Sequence, residues 1–399
     1  MASSNRIALF FAQIGHSYSH IFILLYPTVV LALEPEFNMS YGELIVLMTA
    51  GNVLYGAAAL PAGWLGDKWS AAGMMTVMFI GMGAAAVFTG FSSGAAGLAV
   101  GLALIGLFAA IYHPVGTAWV VRTAENRGRA LGFNGVFGSM GVASAGLLAG
   151  WLTDVISWRA AFIIPGAVSV LTGMALLVFV LRGRVTDIRV DARPEPEPRR
   201  GAVIRAFIVL SVTMLCSGLI FQSYGTALPK IFAERVLGQD GAAAGAGTLV
   251  SVIYFFAMGA QLLGGHLADK YPLRNAYAVI YAIQIPLLFF ATSLYGAPMY
   301  GVLSCAVLLN TLSIPVENSL LSKYSPGRWR GTAFGAKFVL SIGVAALNVP
   351  LVAFIYDRTG DFYWLFVVLA ALAAVIALAA LWLPREAKAA GLAMAETRG

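Results

Sequence analysis

The chain has 399 residues, 60% of them apolar and only 11% charged, with a mean hydropathy of +0.83. A soluble domain carries about 25% charged and about 45–50% apolar residues. The balance here excludes an ordinary soluble enzyme, a nucleic-acid-binding module and a disordered chain. The net charge of +7 gathers in alternate loops and so does not point to an acidic partner.

Apolar runs of helix-spanning length recur along almost the whole chain. At about 20 residues per span, twelve are predicted: 6–33, 42–64, 72–91, 94–118, 131–153, 159–181, 204–227, 242–265, 275–294, 298–320, 332–355 and 362–383. Lipid offers no partner to an open sheet edge, so the spans are helices. The residue alternation of a membrane barrel is absent. The expected fold is an all-α membrane protein of twelve transmembrane helices in two pseudo-symmetric six-helix bundles.

Span 1 follows Arg6 and lacks a small-x-small cleavage site, so it is expected to be retained. It places Gln13, His16, Ser17 and His20 on one stripe by i, i+3/i+4 spacing. His16 lies ten residues beyond Arg6, roughly 15 Å along the helix and near mid-membrane. A neutral imidazole can donate and accept, which suits proton coupling or substrate contact; a structural histidine is the alternative. Two histidines at i, i+4 can also ligate metal. No cysteine, aspartate or second histidine tract stands nearby in sequence, so no metal and no cofactor is assigned.

Span 2 carries Asn52 and Tyr55 and ends in Gly63-Trp-Leu-Gly-Asp67-Lys68. Late in span 4 comes Tyr112-His113-Pro114. Proline frees a carbonyl in the preceding turn, and His113 either satisfies that break or faces a cavity. Arg122 and Arg127-Gly128 precede span 5, which holds Asn134 and the series Gly132, Gly135, Gly138, Gly141, Gly146 and Gly150. Such a small-residue face lets another helix approach closely.

Residues 182–203 contain Arg-Pro-Glu-Pro-Glu-Pro-Arg-Arg, a semi-extended linker by composition. It divides the chain into an N-terminal bundle, 1–181, and a C-terminal bundle with a short tail, 204–399. The halves repeat at an offset of 202–203 residues. Gly265-His-Leu-Ala-Asp269-Lys270 answers the motif after span 2, and Arg330-Gly331 with Gly335 answers Arg127-Gly128 with Gly132. Asp357 answers Asp154, and Pro229 answers Pro27. Duplicated six-helix halves place a substrate path between them near the midplane.

In the second half, Tyr254 and Gln261 on span 8 and Asn310 on span 10 are lesser cavity candidates. Glu317 is the one carboxylate well inside span 10, either a proton site or a helix-end acid beside Lys323. Lys337, at the position of Asn134, either snorkels, pairs with Glu317 or meets an anionic substrate. With the N-terminus inside, 20 of the 25 lysines and arginines fall in cytoplasmic segments. The two ends are therefore expected in the cytoplasm of an inner-membrane protein.

G-x-L-x-D-[RK] after spans 2 and 8 resembles the signature of the major facilitator superfamily. Tyr112-His113-Pro114, Arg122, Arg127-Gly128, Ala130, Gly132 and the span-5 glycines resemble its fosmidomycin-resistance type of exporter. The resemblance implies a cytoplasmic gate formed by Asp67, Lys68, Arg127, Asp269, Lys270 and Arg330. It also implies proton-coupled efflux of a small organic molecule by alternating access. Uptake of an organic anion is the alternative within transport, with transport of a metal or chelate by the span-1 histidines behind it. A non-transporting sensor or scaffold is the alternative outside it. No phosphate loop, catalytic triad or redox motif stands out, so an enzyme is not expected. The expected partners are a small molecule, protons and the bilayer, with the chain as a monomer.

Overall fold

A computed structural model describes residues 3–124, 127–185, 200–238, 242–325 and 330–384. Helices of membrane-spanning length and composition are α1 (Asn5–Phe37), α3 (Ala71–Gly90), α4 (Ala95–Thr123), α5 (Ala130–Val155), α6 (Trp158–Leu181), α7 (Val203–Arg235), α8 (Ala243–Lys270), α9 (Leu273–Ala291), α10 (Gly296–Tyr324), α11 (Ala333–Thr359) and α12 (Tyr363–Ala380). The remaining span, α2, is Tyr41–Ala57 with Ala59–Lys68, bent by 40° at Ala58.

The helices start where local chemistry lets them. Ser40 caps α2 by accepting from the Glu43 N–H, and Glu43 returns the bond to the Ser40 N–H. Ser70 and Ser157 accept from Gly73 and Ala160 at the starts of α3 and α6. Gly360, at φ +66°, closes α11 in the left-handed conformation that glycine takes without strain.

Packing repeats with a shift of six helices. In the first half α1 lies on α5, α2 on α4, α3 on α4 and α3 on α6; in the second α7 lies on α11, α8 on α10, α9 on α10 and α9 on α12. Between halves, α5 packs on α8 and α2 on α11, again a pair related by six. Lipid is as apolar as the core, so exposed Leu, Phe and Trp along α6, α8 and α12 are the normal outer surface here.

The spans agree with the sequence expectation to within a turn at most ends. The main difference is at α7, expected to stop at 227 beside Pro229. The helix runs on through Pro229 to Arg235, where Lys230 bonds Glu34 of α1 and Tyr356 of α11 bonds Glu234. Contacts to neighbouring helices hold the extra turns beyond the proline. Its counterpart α1 bends at Leu25, just before Pro27, and continues to Phe37.

Candidate functional site

Between the two bundles lies a cavity of about 350 Å³, lined in its first half by His16, His20, Tyr55, His113 and Asn134. The second half contributes Tyr254, Gln261, Asn310, Glu317 and Lys337. Gln13 is not among the lining residues. It sits one turn nearer the start of α1 and is half-buried. Asn52 is buried in packing and does not line the cavity either.

The polar centre of the second half is an ion pair. Lys337 Nζ is 2.7 Å from Glu317 Oε1, with both side chains less than 10% exposed. The other carboxylate oxygen accepts from Ser217 Oγ at 2.8 Å and Tyr277 Oη at 2.5 Å. Lys337 also donates to Asn318 Oδ1 at 2.6 Å. Its ammonium has three N–H bonds and, among the described residues, two acceptors, which leaves one N–H for an oxygen in the cavity. Asn310 Nδ2 donates to Tyr281 Oη at 3.4 Å.

The first half brings three imidazoles together. His16 and His20 are a turn apart on α1, and His113 reaches them from a π-helical turn over Tyr112–Gly116. Pro114 has no N–H to give the regular ladder, and a π turn accommodates the lost bond while turning His113 inward. His113 Nε2 lies 2.8 Å from Tyr55 Oη. Its ring stacks on Phe338, the neighbour of Lys337, at 4.8 Å. Asn134 accepts from Tyr112 Oη through its side chain and from His16 Nδ1 through its carbonyl.

The end of the bundle that carries Asp67 and Asp269 is here the motif end. Toward it Gly135 of α5 lines the cavity and meets no neighbour, whereas Gly146 and Gly247 pack backbone to backbone further along. Gly56 and Gly343 keep α2 against α11. The opposite end is sealed between halves. Asp154 Oδ2 accepts from the Ala244 N–H at the start of α8, at 2.7 Å. Asp357 Oδ1 accepts from the Gly42 N–H at the start of α2, at 3.2 Å, and from Ser40 Oγ. Lys230 bonds Glu34 at 2.5 Å, and Tyr41 donates to the Thr226 carbonyl.

At the motif end, Asp67 accepts from Arg122 Nη2 within its own half, both groups reaching solvent. Lys68 lies over the Trp64 ring and Lys270 over Tyr271. Asp269 is exposed and has no ion-pair partner among the described residues. The side chains of Arg127 and Arg330 lie outside the described residues. Sequence reasoning missed Ser217, Tyr277 and Asn318 as partners of the ion pair, since no periodicity or motif marks them. It matched Asp154 with Asp357 through the repeat but gave neither a role.

Comparison with known proteins agrees with this architecture. The chain is similar to the probable sulfoacetate transporter SauU of Cupriavidus necator, at 27% identity over 88% of this chain and 87% of that one. It is similar to the D-galactonate transporter of Escherichia coli O6:H1, at 23% identity over 90% of each. Among solved structures it resembles the peptide transporter POT in complex with sulfate (TM-score 0.75, 16% identity, 99% of this chain and 95% of that one). It also resembles the transporter FucP in the outward conformation (TM-score 0.62, 16% identity, 94% and 99%). The family model described as Major Facilitator Superfamily matches residues 7–338. The duplicated bundles, the central cavity and this match lead to one conclusion: the chain belongs to the Major Facilitator Superfamily and is a membrane transporter, not an enzyme.

Proposed function

We propose that the chain moves a small organic anion together with a proton, by alternating access through the cavity between residues 1–181 and 204–399, which residues 182–203 link. The observation that carries this reading is the Lys337–Glu317 pair on the cavity wall. While Glu317 is ionised it satisfies Lys337. A proton on Glu317 removes that negative charge and leaves an ammonium in a site of low dielectric, where an unpaired charge is costly. An anionic oxygen from the cavity then replaces the carboxylate. Proton and anion bind together, and neither binds well alone.

The chemistry of the relatives supports the anion. Sulfoacetate, galactonate and hexuronate, the last named for a transporter of Escherichia coli K12 that matches half of this chain at 28% identity, all carry a carboxylate. Export rests on the resemblance of Tyr112-His113-Pro114 and the span-5 glycines alone. The orientation proposed has the motif end in the cytoplasm of an inner-membrane protein, from the distribution of lysine and arginine. Asp67, Lys68, Asp269 and Lys270, with Arg127 and Arg330, then belong to the cytoplasmic gate.

The test is reconstitution in proteoliposomes with an imposed proton gradient and labelled sulfoacetate, galactonate or glucuronate. The expected result is accumulation of at least one of these anions on the alkaline side, and none of an uncharged sugar. Accumulation on the acidic side, which is antiport, contradicts movement of the anion together with the proton. Failure to move any anion refutes the reading.

A further inference from the structure

The ion pair leaves the three histidines of the first half without a part in coupling. We infer that His16, His20 and His113 form a binding site for a divalent transition cation of the zinc, cobalt or nickel class, whose remaining coordination position opens into the cavity. Its three ligands are separate from the proton step assigned to Glu317; the anion they would share with Lys337 rests on the function proposed above.

One nitrogen from each of the three rings lies within 4.8 Å of the others. His16 Nε2 and His20 Nε2 are 3.3 Å apart. Two nitrogens on a tetrahedral metal with bonds of about 2.0–2.1 Å are separated by about 3.3–3.4 Å, so two vertices of such a site already stand in place. The i, i+4 pair on α1 supplies one edge and the π turn of α4 supplies the third corner.

The surroundings fix the rings as a metal site requires. His16 Nδ1 is 2.7 Å from the Asn134 carbonyl. A carbonyl only accepts, so Nδ1 carries the proton and Nε2 presents its lone pair to the cluster. The Tyr112 ring stacks on His16 at 4.6 Å. Tyr55 Oη bonds His113 Nε2, and the Phe338 ring stacks on His113 at 4.8 Å. The hydrogen bond between His20 and His16 joins two rings, and the bond from Tyr55 and the stacking on Phe338 hold the third beside them.

Charge decides what else binds. Three neutral imidazoles leave a divalent cation uncompensated inside the membrane, which is costly. No carboxylate or thiolate among the described residues joins the cluster. The compensating ligand therefore comes from the cavity, and an organic carboxylate is the chemistry that fits, held between the cation on one wall and Lys337 on the other. The site thus takes the cation as a mixed complex with the anion.

The experiment uses the full chain, purified in detergent without a polyhistidine tag and titrated with Co²⁺. The expected result is one Co²⁺ per chain with the strong visible bands of tetrahedral cobalt, which shift when acetate or galactonate is added. His20→Gln and His113→Gln should abolish the bands, and Tyr55→Phe should lower affinity about tenfold through the lost outer hydrogen bond. Glu317→Gln should leave the bands unchanged, which separates this site from the proton step. On the unmodified chain, Zn²⁺ should protect His16, His20 and His113, but not the exposed His266, from diethyl pyrocarbonate. Absence of the bands, their survival in His20→Gln, or equal modification of all four histidines with and without Zn²⁺ overturns the inference.

Discussion

Replacing Lys337 by alanine leaves the Glu317 carboxylate with two hydroxyl donors, Ser217 and Tyr277, and no cation. Breaking a buried pair from one side costs about 3–5 kcal/mol, because a charge is left uncompensated. Lys337→Ala should therefore lower the melting temperature of the purified protein markedly. Lys337→Ala with Glu317→Ala should recover most of the loss, since the orphaned charge is gone. A lysine that reached the membrane surface instead would give small and additive effects. Both residues were legible in the sequence as rare ionisable groups within spans, and their adjacency in neighbouring spans made pairing geometrically accessible. Tyr277 and Ser217 were not legible, being 40 and 100 residues from Glu317 along the chain. His113 was legible as a partner of the proline break or a cavity residue, but its convergence with His16 and His20 was not, because it depends on how α4 lies against α1.

Among the helices, the seal opposite the motif end uses one device twice. The carboxylates of Asp154 and Asp357 each accept from the N–H at the start of a helix of the other half, Ala244 of α8 and Gly42 of α2. The donors, like the acceptors, are related by the repeat offset. A negative charge on a helix N-terminus contributes about 1 kcal/mol, roughly a fivefold change in an equilibrium. Asp154→Asn and Asp357→Asn should each shift the protein toward opening at this end, and the double variant should shift it further. The rate at which single cysteines lining the cavity react with an impermeant thiol reagent added from that side measures the shift. Unchanged reactivity in the double variant removes the role assigned to the seal. The glycines of α5 illustrate the limit of pattern reading at this scale. Their spacing announces close approach, yet Gly138 meets the His16 ring, Gly141 the Ser17 backbone, Gly150 the start of α8, and Gly135 nothing. One stripe serves three different surfaces, and only the arrangement of helices separates them.

Over the whole molecule, hydropathy alone delineated twelve spans, because lipid demands long apolar helices and tolerates little else. The repeat then gave the six-plus-six plan, which the packing follows. The cavity's chemistry was less legible, since it is assembled from six or more helices that meet far from one another in sequence. The signature carboxylates make no bond between the halves among the described residues. Asp67 is held by Arg122 in its own half, and Asp269 stands exposed. Asp67→Asn and Asp269→Asn should each slow transport by losing a charge-assisted contact made when the motif end closes, with insertion and folding intact. Normal rates in both well-expressed variants contradict that assignment.

The decisive measurement is proton movement accompanying anion movement in proteoliposomes that enclose a pH-sensitive dye, comparing the native chain with Glu317→Gln. For the native chain, adding a transported carboxylate outside should acidify the lumen, one proton for each monoanion and without dependence on membrane potential. Glu317→Gln should still exchange labelled for unlabelled anion across the bilayer, with no change in lumenal pH. Anion entry into native vesicles without acidification, or acidification that persists in Glu317→Gln, would contradict coupling through the Lys337–Glu317 pair.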